Sequence, residues 1–246
     1  MKVAFIGLGV MGYPMAGHLK NAGMDVCVYN RSAKKAQRWV DEYKGDMAPT
    51  PAAAAKGCDI VLSCVGNDDD VRQVLLGEDG ALAAMQSGAL LIDHTTASAT
   101  LARELHALAA GKGIGFLDAP VSGGQAGAEN AALTVMVGGE EKHYATAQPA
   151  FEAYSKFSKL LGPAGSGQLA KMVNQVCIAG IVQGLAEGLN FAQKAGLDGE
   201  ALIETISKGA AGSWQMDNRY QTMLSDKYDF GGRWDTSSLL ARLTRK

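Results

Sequence analysis

Three glycines with a fixed spacing lie near the start of the chain, in Gly7-Leu8-Gly9-Val10-Met11-Gly12. They follow the apolar run 2–6, which predicts a buried strand, and they precede apolar residues at helical spacing. In such a unit the first glycine permits a tight turn, the second lets the backbone approach a pyrophosphate, and the third lets the helix pack on the strand. The spacing therefore predicts a dinucleotide-binding loop; the alternative is a glycine-rich turn with only a packing role.

The segment Asn30-Arg31-Ser32 follows a second apolar run, 26–29, at the position where a ribose-binding residue is expected. A carboxylate there would accept hydrogen bonds from the ribose of NAD and repel a phosphate. Arg31 can instead form charge-assisted bonds to a 2′-phosphate. The segment favours NADP as cofactor and leaves NAD open, because an arginine does not exclude NAD; the alternative for Arg31 is a surface residue that stacks on adenine.

A second set of candidate residues has the chemistry to hold and deprotonate a small acid. Ser122-Gly123-Gly124 follows a predicted strand and supplies a hydroxyl and flexible amides that can bind a carboxylate. Lys171 and Asn174 lie three residues apart near the start of a predicted helix, so they share one helical face. A lysine is unfavourable at a helix N-terminus, which weakly indicates a function, but the spacing alone favours a surface lysine.

The elements that position these residues alternate between apolar strands and alanine-rich helices. Further strands are predicted at 59–65, 89–93, 114–118 and 133–137. This pattern predicts an α/β fold with a doubly wound parallel sheet, in which ligands bind beyond the carboxyl ends of the strands. The segments 65–67, 94–96 and 119–122 are therefore candidate lining loops, and Cys64 is a further candidate cofactor-binding residue.

A glycine-rich segment ends this pattern, and we predict a dinucleotide-binding domain over residues 1–162 and a helical domain over 163–246. The second begins with an unusually long helix, at about 167–195, that suits a link between domains or a dimer contact. Shorter helices are predicted at 199–208 and 216–224.

The composition of the chain argues against some classes of binding partner. The chain of 246 residues has 23 Lys and Arg against 25 Asp and Glu, a net charge of −2, so neither nucleic acid nor an anionic membrane is an expected partner. Its four cysteines have no CxxC spacing, and no signal peptide or membrane span is found, which favours a cytoplasmic location. The histidines fall in separate elements, so no metal site is expected.

Three segments in order resemble the β-hydroxyacid dehydrogenase family: Gly7-Leu-Gly-Val-Met-Gly12, Asp118-Ala-Pro-Val-Ser-Gly-Gly124 and Gly167-Gln-Leu-Ala-Lys-Met-Val-Asn174. The resemblance implies a Rossmann-like first domain, an all-helical second domain, and NAD(P)-dependent oxidation of a small 3-hydroxy acid or reduction of its semialdehyde, as in 3-hydroxyisobutyrate dehydrogenase. It further implies that Lys171 is the catalytic lysine, that Ser122, Gly123 and Asn174 contact substrate, and that Val65 and Thr96 line the nicotinamide side of the cofactor site. A homodimer or tetramer acting on a small carboxylate is expected.

The resemblance ends near Gly231, and the segment 232–246 lacks the family's Lys-Asp-Leu motif. We therefore expect an altered or truncated end and an incomplete helical domain, with apolar faces of the helix around 178–191 uncovered. Two other functions stay open: a catalytically silent protein that binds the cofactor, and an imine-reductase-like enzyme on the same scaffold.

Overall fold

Nine strands form one sheet in the computed structural model, which describes residues 1–225 and 227. The strands are β1 Lys2–Ile6, β2 Asp25–Tyr29, β3 Asp46–Met47, β4 Ile60–Ser63, β5 Leu90–Asp93, β6 Gly115–Asp118, β7 Val121–Ser122, β8 Leu133–Gly139 and β9 Ser155–Leu160. All six strands predicted from the sequence are present. The short strands β3 and β7 and the exposed, polar β9 were not predicted, because they lack an apolar run.

Eleven helices accompany these strands in the described part of the chain. They are α1 Gly12–Asn21, α2 Ala33–Tyr43, α3 Pro51–Ala55, α4 Asp68–Leu76, α5 Ala81–Ala84, α6 Ala99–Ala110, α7 Gly124–Glu129, α8 Glu141–Tyr154, α9 Ser166–Lys194, α10 Gly199–Ile206 and α11 Trp214–Leu224. Side-chain caps begin several of them: Asn67 accepts the amide of Asp70 at α4, and Ser98 accepts the amide of Leu101 at α6.

The sheet is largely parallel, with the strand order β3-β2-β1-β4-β5-β6-β8-β7 and β9 paired to β8. The strands from β3 to β6 are all parallel, as the prediction of a doubly wound sheet requires. The strand β8 departs from that prediction because it runs antiparallel to both β6 and β7. Between β7 and β8 the chain contains only the short helix α7, too short for the crossover that a parallel pairing needs.

Two hydrophobic clusters cover the two faces of the sheet. Successive residues of a strand point to opposite faces, and in β1 Val3 and Phe5 join one cluster while Ala4 and Ile6 join the other. All four are fully buried, as expected for a strand covered by helices on both sides. Because β1, β4, β5 and β6 run parallel to one another, their carboxyl ends share one edge of the sheet.

The chain divides into two compact units, one of them Met1–Lys171 and the other beginning at Met172. The division lies inside α9, after the boundary at residue 162 that the glycine-rich segment predicts. In the second unit a small core forms around Leu185, Leu189, Ile203 and Met216. The segment 232–246, for which an altered end is predicted, lies outside the described residues.

Candidate functional site

The loop between β1 and α1 has the backbone geometry predicted for a dinucleotide-binding turn. Gly7 has a φ of 98°, and a Cβ there would lie 2.3 Å from the carbonyl oxygen of Cys64. A Cβ on Gly12 would lie 2.0 Å from the oxygen of Gly7, so α1 approaches the strand more closely than any other residue allows. A Cβ on Gly9, by contrast, would meet no atom within 4 Å.

This open space at Gly9 suits a dinucleotide. The N-terminus of α1 carries the positive end of the helix dipole, although the amide of Tyr13 already donates to the carbonyl of Gly9 at 3.0 Å and Pro14 has no amide hydrogen. Val10 is exposed and Met11 half-buried, while Leu8 is buried and fastens the loop to the core. The loop therefore has room for a pyrophosphate beside the positive end of α1.

Asn30 has a structural role that the sequence did not predict. Its Oδ1 accepts the amide of Leu8 at 2.9 Å, and its Nδ2 donates to the carbonyl of Ser32 at 3.1 Å. The side chain predicted to lie at the ribose thus connects the glycine loop to the end of β2. Arg31 extends into solvent, with 87% of its side chain exposed, and its guanidinium lies 3.9 Å from the carboxylate of Asp70.

The loops after β4 and β5 lie together at the same sheet edge. The amide of Val65 donates to Oγ1 of Thr95 at 3.0 Å, which joins the two loops. Thr96 is half-buried in the second loop. Burial raises the pKa of the Cys64 thiol to about 12, so this side chain stays neutral and does not act as a nucleophile.

The predicted carboxylate-binding segment begins with β7 and turns sharply. Ser122 is half-buried, and Gly123 and Gly124 have φ values of 137° and 62°, a conformation that favours glycine at both positions. A Cβ on Gly124 would meet no atom within 4 Å, so space is open in front of its backbone. The segment can therefore offer a hydroxyl and two adjacent amides to an anion.

Lys171 lies beside this segment. Its Nζ donates to the carbonyl of Val121 at 2.8 Å, and only 8% of the residue is exposed. Burial lowers the pKa of Lys171 from 10.5 to about 8. Asn174 falls in the second unit, where its amide donates to Gln175.

Buried polar residues lie at the ends of β4 and β5; His94 and Thr95 belong to the predicted lining segment 94–96, whereas Ser63 and Asp93 were not predicted as part of the site. Oδ1 of Asp93 accepts the hydroxyl of Ser63 at 2.8 Å and the amide of Thr95 at 3.1 Å. Nδ1 of His94 donates to the carbonyl of Ala119 at 2.6 Å. Its Nε2 therefore accepts the hydroxyl of Tyr154 at 2.9 Å in a neutral ring. Together they hold the backbone of the loops that follow β5 and β6.

Burial shifts the pKa values of these two neighbours in opposite directions. It raises the pKa of Asp93 from 3.8 to about 6, and it lowers the pKa of His94 from 6.5 to about 4. Acidification therefore stabilises the fold through Asp93 between pH 6 and 4, since the folded state takes up the proton first. It destabilises the fold through His94 between pH 6.5 and 4, because only the unfolded state takes up that proton.

We expect the contributions of Asp93 and His94 to the pH dependence of stability to oppose each other in the unmodified protein. In Asp93→Asn, the free energy of unfolding relative to the unmodified protein should fall by about 2 kcal/mol as the pH is lowered from 6 to 4. In His94→Gln it should rise by a similar amount over that interval. Urea unfolding at several pH values measures both, and differences that do not change with pH would contradict the prediction.

No group of three or more His, Cys, Asp or Glu side chains is arranged to hold a metal ion within residues 1–225 and 227. In the same residues, α9 is the one helix long and apolar enough to cross a membrane, with a mean hydropathy of 1.3 over 18 residues. Core helices of water-soluble proteins also have this length and composition, so the finding is weak support for a membrane span.

Two family profiles match the chain. A profile described as the NAD binding domain of 6-phosphogluconate dehydrogenase matches residues 2–180. A second, described as the NAD-binding of NADP-dependent 3-hydroxyisobutyrate dehydrogenase, matches residues 165–237. The two profiles meet in α9, the helix that carries Lys171.

Individual relatives agree with these profiles. An uncharacterised oxidoreductase of Shewanella frigidimarina is 56% identical, covering 99% of this chain and 98% of the relative. An NAD-dependent L-serine dehydrogenase of Pseudomonas aeruginosa is 36% identical, covering 87% of this chain and 72% of the relative. The solved structure of Mycobacterium tuberculosis 3-hydroxyisobutyrate dehydrogenase with L-serine is 34% identical, with a TM-score of 0.79, covering 89% of this chain and 73% of that one.

The alignment with the Shewanella protein also reveals a difference in length. It extends over 286 positions, whereas this chain has 246 residues. Because both sequences are aligned almost throughout, at least 40 residues of the Shewanella protein face gaps in this chain. This chain therefore differs from that relative by residues that are absent within the aligned region.

Proposed function

Because this chain belongs to the β-hydroxyacid dehydrogenase family, and is thus an oxidoreductase with an NAD(P)-binding domain, we propose that it transfers hydride between nicotinamide and a small 3-hydroxy acid or its semialdehyde. The observation that carries the proposal is the buried amine of Lys171, 2.8 Å from the carbonyl of Val121 and beside the Ser122-Gly123-Gly124 segment. A proton-transfer group and an anion-binding segment thus lie together. The relative named as an L-serine dehydrogenase and the 3-hydroxyisobutyrate dehydrogenase structure with L-serine support this substrate class, because L-serine is itself a 3-hydroxy acid.

When bound, a nicotinamide cofactor would supply or accept the hydride, and the chain's own residues would bind the substrate's carboxylate and transfer its proton. The hydroxyl of Ser122 and the amides of Gly123 and Gly124 hold the carboxylate, which fixes the orientation of the reacting carbon. In oxidation the neutral amine of Lys171 takes the proton of the substrate hydroxyl. In reduction its ammonium form returns a proton to the carbonyl oxygen.

A pKa near 8 allows Lys171 to act in both oxidation and reduction. Near pH 8 the neutral and ammonium forms of Lys171 are both populated, whereas an ordinary lysine would be almost entirely protonated. From the resemblance to the family's substrate-contacting position, we assign Asn174 the role of orienting the substrate oxygen or the lysine. Cys64, Val65 and Thr96 are assigned to the nicotinamide side of the cofactor site.

The experiment that tests the function combines a cofactor titration with a substrate panel. NADPH and NADH are titrated by fluorescence, and turnover of L-serine, 3-hydroxyisobutyrate and glycerate with the oxidised cofactors is followed through the absorbance of the reduced nicotinamide. Turnover of at least one 3-hydroxy acid is expected. Cofactor binding without turnover would favour the catalytically silent alternative, and turnover of a cyclic imine in place of every hydroxy acid would favour the imine-reductase alternative.

We further propose that NADP is preferred over NAD, through the exposed guanidinium of Arg31. The family profile described as NADP-dependent supports this, while the nearby carboxylate of Asp70 competes with a phosphate for the guanidinium. In Arg31→Ala the affinity for NADPH is expected to fall about 10- to 100-fold, the range for losing a charged hydrogen bond. The affinity for NADH should change little.

Asp70→Asn is the matched variant for this prediction. Removing the competing carboxylate is expected to raise the affinity for NADPH and leave that for NADH unchanged. Fluorescence titrations of both variants with both cofactors measure these effects. Equal losses for NADPH and NADH in Arg31→Ala would indicate adenine stacking rather than phosphate binding.

We also propose that the protein works in the cytoplasm as a homodimer or tetramer on a small carboxylate, with neither nucleic acid nor a membrane as partner. The second unit exposes apolar side chains on α9, among them Val176 at 51%, Ile181 at 45% and Phe191 at 71%. A second copy of the chain would cover this surface, and the glutamines and the carboxylate of Glu187 on the same helix disfavour lipid.

The assembly is tested by light scattering on the unmodified chain and on Phe191→Glu. A dimer or larger assembly is expected, and the charge should shift the molar mass toward the monomer because it would be buried without a partner. Asn190→Glu, at an exposed polar position one residue away, is the control for added charge. A monomeric unmodified chain would contradict the proposal.

A further inference from the structure

A buried carboxylate holds the first turn of α9. Asp118, at the end of β6, is fully buried, and its Oδ1 accepts the amide of Gly165 at 2.7 Å while its Oδ2 accepts the amide of Gln168 at 2.9 Å. Burial raises the pKa of Asp118, and these amides oppose that shift. The positive end of the helix dipole also stabilises the ionised carboxylate.

The packing around this carboxylate leaves no room for a side chain at either Gly167 or Gly138. A Cβ on Gly167 would lie 2.5 Å from the carbonyl oxygen of Asp118, and a Cβ on Gly138 would lie 2.5 Å from its Oδ1. Both distances are shorter than any real contact of a Cβ. The start of α9 therefore sits directly against the strand ends, at a position set by the two glycines.

Gln168 connects the same helical turn to the loop after β5. Only 1% of the residue is exposed; its Nε2 donates to the carbonyl of Thr95 at 2.7 Å, and its Oε1 accepts the amide of Ala97 at 3.0 Å. These two backbone groups flank Thr96, a residue assigned to the nicotinamide side. One side chain thus joins the helix to a cofactor loop.

Lys171 follows Gln168 by three residues, nearly one helical turn, so fixing the first turn of α9 also fixes the direction in which Lys171 projects. We propose that Asp118 and Gln168 are positioning residues that hold Lys171 at the Val121 carbonyl, an inference that rests on the proposed role of Lys171 in proton transfer. Neither side chain needs to touch the substrate.

A purely structural role for these residues would affect stability alone. A positioning role also affects Lys171 itself, because a loosened first turn lets water reach the amine and returns its pKa toward the ordinary value. The two roles therefore differ in a property that can be measured without cofactor or substrate.

The test replaces Gln168 with methionine, which keeps a similar length and removes both hydrogen bonds. The Cε chemical shift of Lys171 is followed against pH by NMR in cofactor-free protein with ¹³C-labelled lysine, and Lys171→Met assigns the signal. Gln183→Met is the matched control, since Gln183 is an exposed residue farther along α9 that donates to Glu187. In Gln168→Met the titration midpoint should rise above that of the unmodified protein, and in Gln183→Met it should not.

Kinetics provide a second measurement. For Gln168→Met we expect kcat to fall about 100-fold, the cost of a misplacement near 1 Å, with KM changed only a few-fold. Asp118→Asn is a second variant, expected to shift the Lys171 midpoint in the same direction. Unchanged midpoint and kcat in a folded Gln168→Met protein would overturn the proposal, and so would loss of the fold in both variants, which would assign the residues to the core.

The NMR result also separates this proposal from the proposed function. If the unmodified protein turns over no hydroxy acid, or if Lys171→Met remains active, the proposed function fails. A raised Lys171 midpoint in Gln168→Met would in that case still support the positioning of the amine. If turnover depends on Lys171 but is indifferent to Gln168, only the positioning inference fails.

Discussion

Replacing Lys171 with methionine is expected to lower kcat by about 100- to 10,000-fold, the usual contribution of general acid–base catalysis. Methionine keeps the apolar stem and the length of the side chain but cannot take up or release a proton. Cofactor affinity should change little, because Lys171 lies beside the carboxylate-binding segment rather than the glycine loop. Steady-state kinetics and cofactor titration measure the two effects separately.

The pH dependence of this variant provides an independent check. In the unmodified protein, oxidation should accelerate as the pH rises through about 8, because the amine must be neutral to accept a proton, and reduction should slow over the same interval. Lys171→Met should lose this dependence in both directions. Lys194→Met, at an exposed lysine in the last turn of α9, is the control. Turnover of Lys171→Met within a few-fold of the unmodified protein would assign proton transfer to another group.

Replacing Gly9 with valine is expected to weaken cofactor binding about 10- to 100-fold while leaving the fold intact. A side chain at Gly9 meets no protein atom nearby, so it should clash only with a ligand that approaches the loop backbone. Fluorescence titration with NADPH and thermal unfolding of the cofactor-free protein measure the two properties.

Gly12→Ala is the matched variant, with the opposite expectation. Its Cβ would lie 2.0 Å from the oxygen of Gly7 and 2.8 Å from the ring of Phe5, so the fold itself should lose about 3 kcal/mol of stability. If Gly9→Val bound cofactor normally, the pyrophosphate would not lie at this loop. If Gly12→Ala were fully stable, α1 would have to shift freely on β1.

Local patterns in the sequence were sufficient to predict the strands that form the parallel part of the sheet, the glycine loop and the long helix. The apolar run of β1 is buried on both faces of the sheet, and Gly7 and Gly12 have the tight-turn and close-packing geometry that their spacing predicts, with open space at Gly9. The segment carrying Lys171 lies in a helix, as its apolar periodicity predicts. These features depend on residues close together in the chain, whose types restrict the local backbone directly.

Features made by distant residues were not predicted. The strand β8 pairs antiparallel with β6 and β7, and the side chain of Asn30 accepts the amide of Leu8, 22 positions away. The bonds of Gln168 to Ala97 and Thr95 join residues 71 and 73 positions apart, and the bond from Lys171 to Val121 joins residues 50 apart.

The sequence by itself therefore determined which chemical groups this protein has and which local elements carry them. The tertiary structure alone decided which groups meet, and how burial changes them: the lowered pKa of Lys171, the opposite shifts of Asp93 and His94, and the carboxylate of Asp118 at the start of α9. The physical reason is that desolvation and hydrogen-bond partners depend on the packing of distant segments, which no local spacing of residues records.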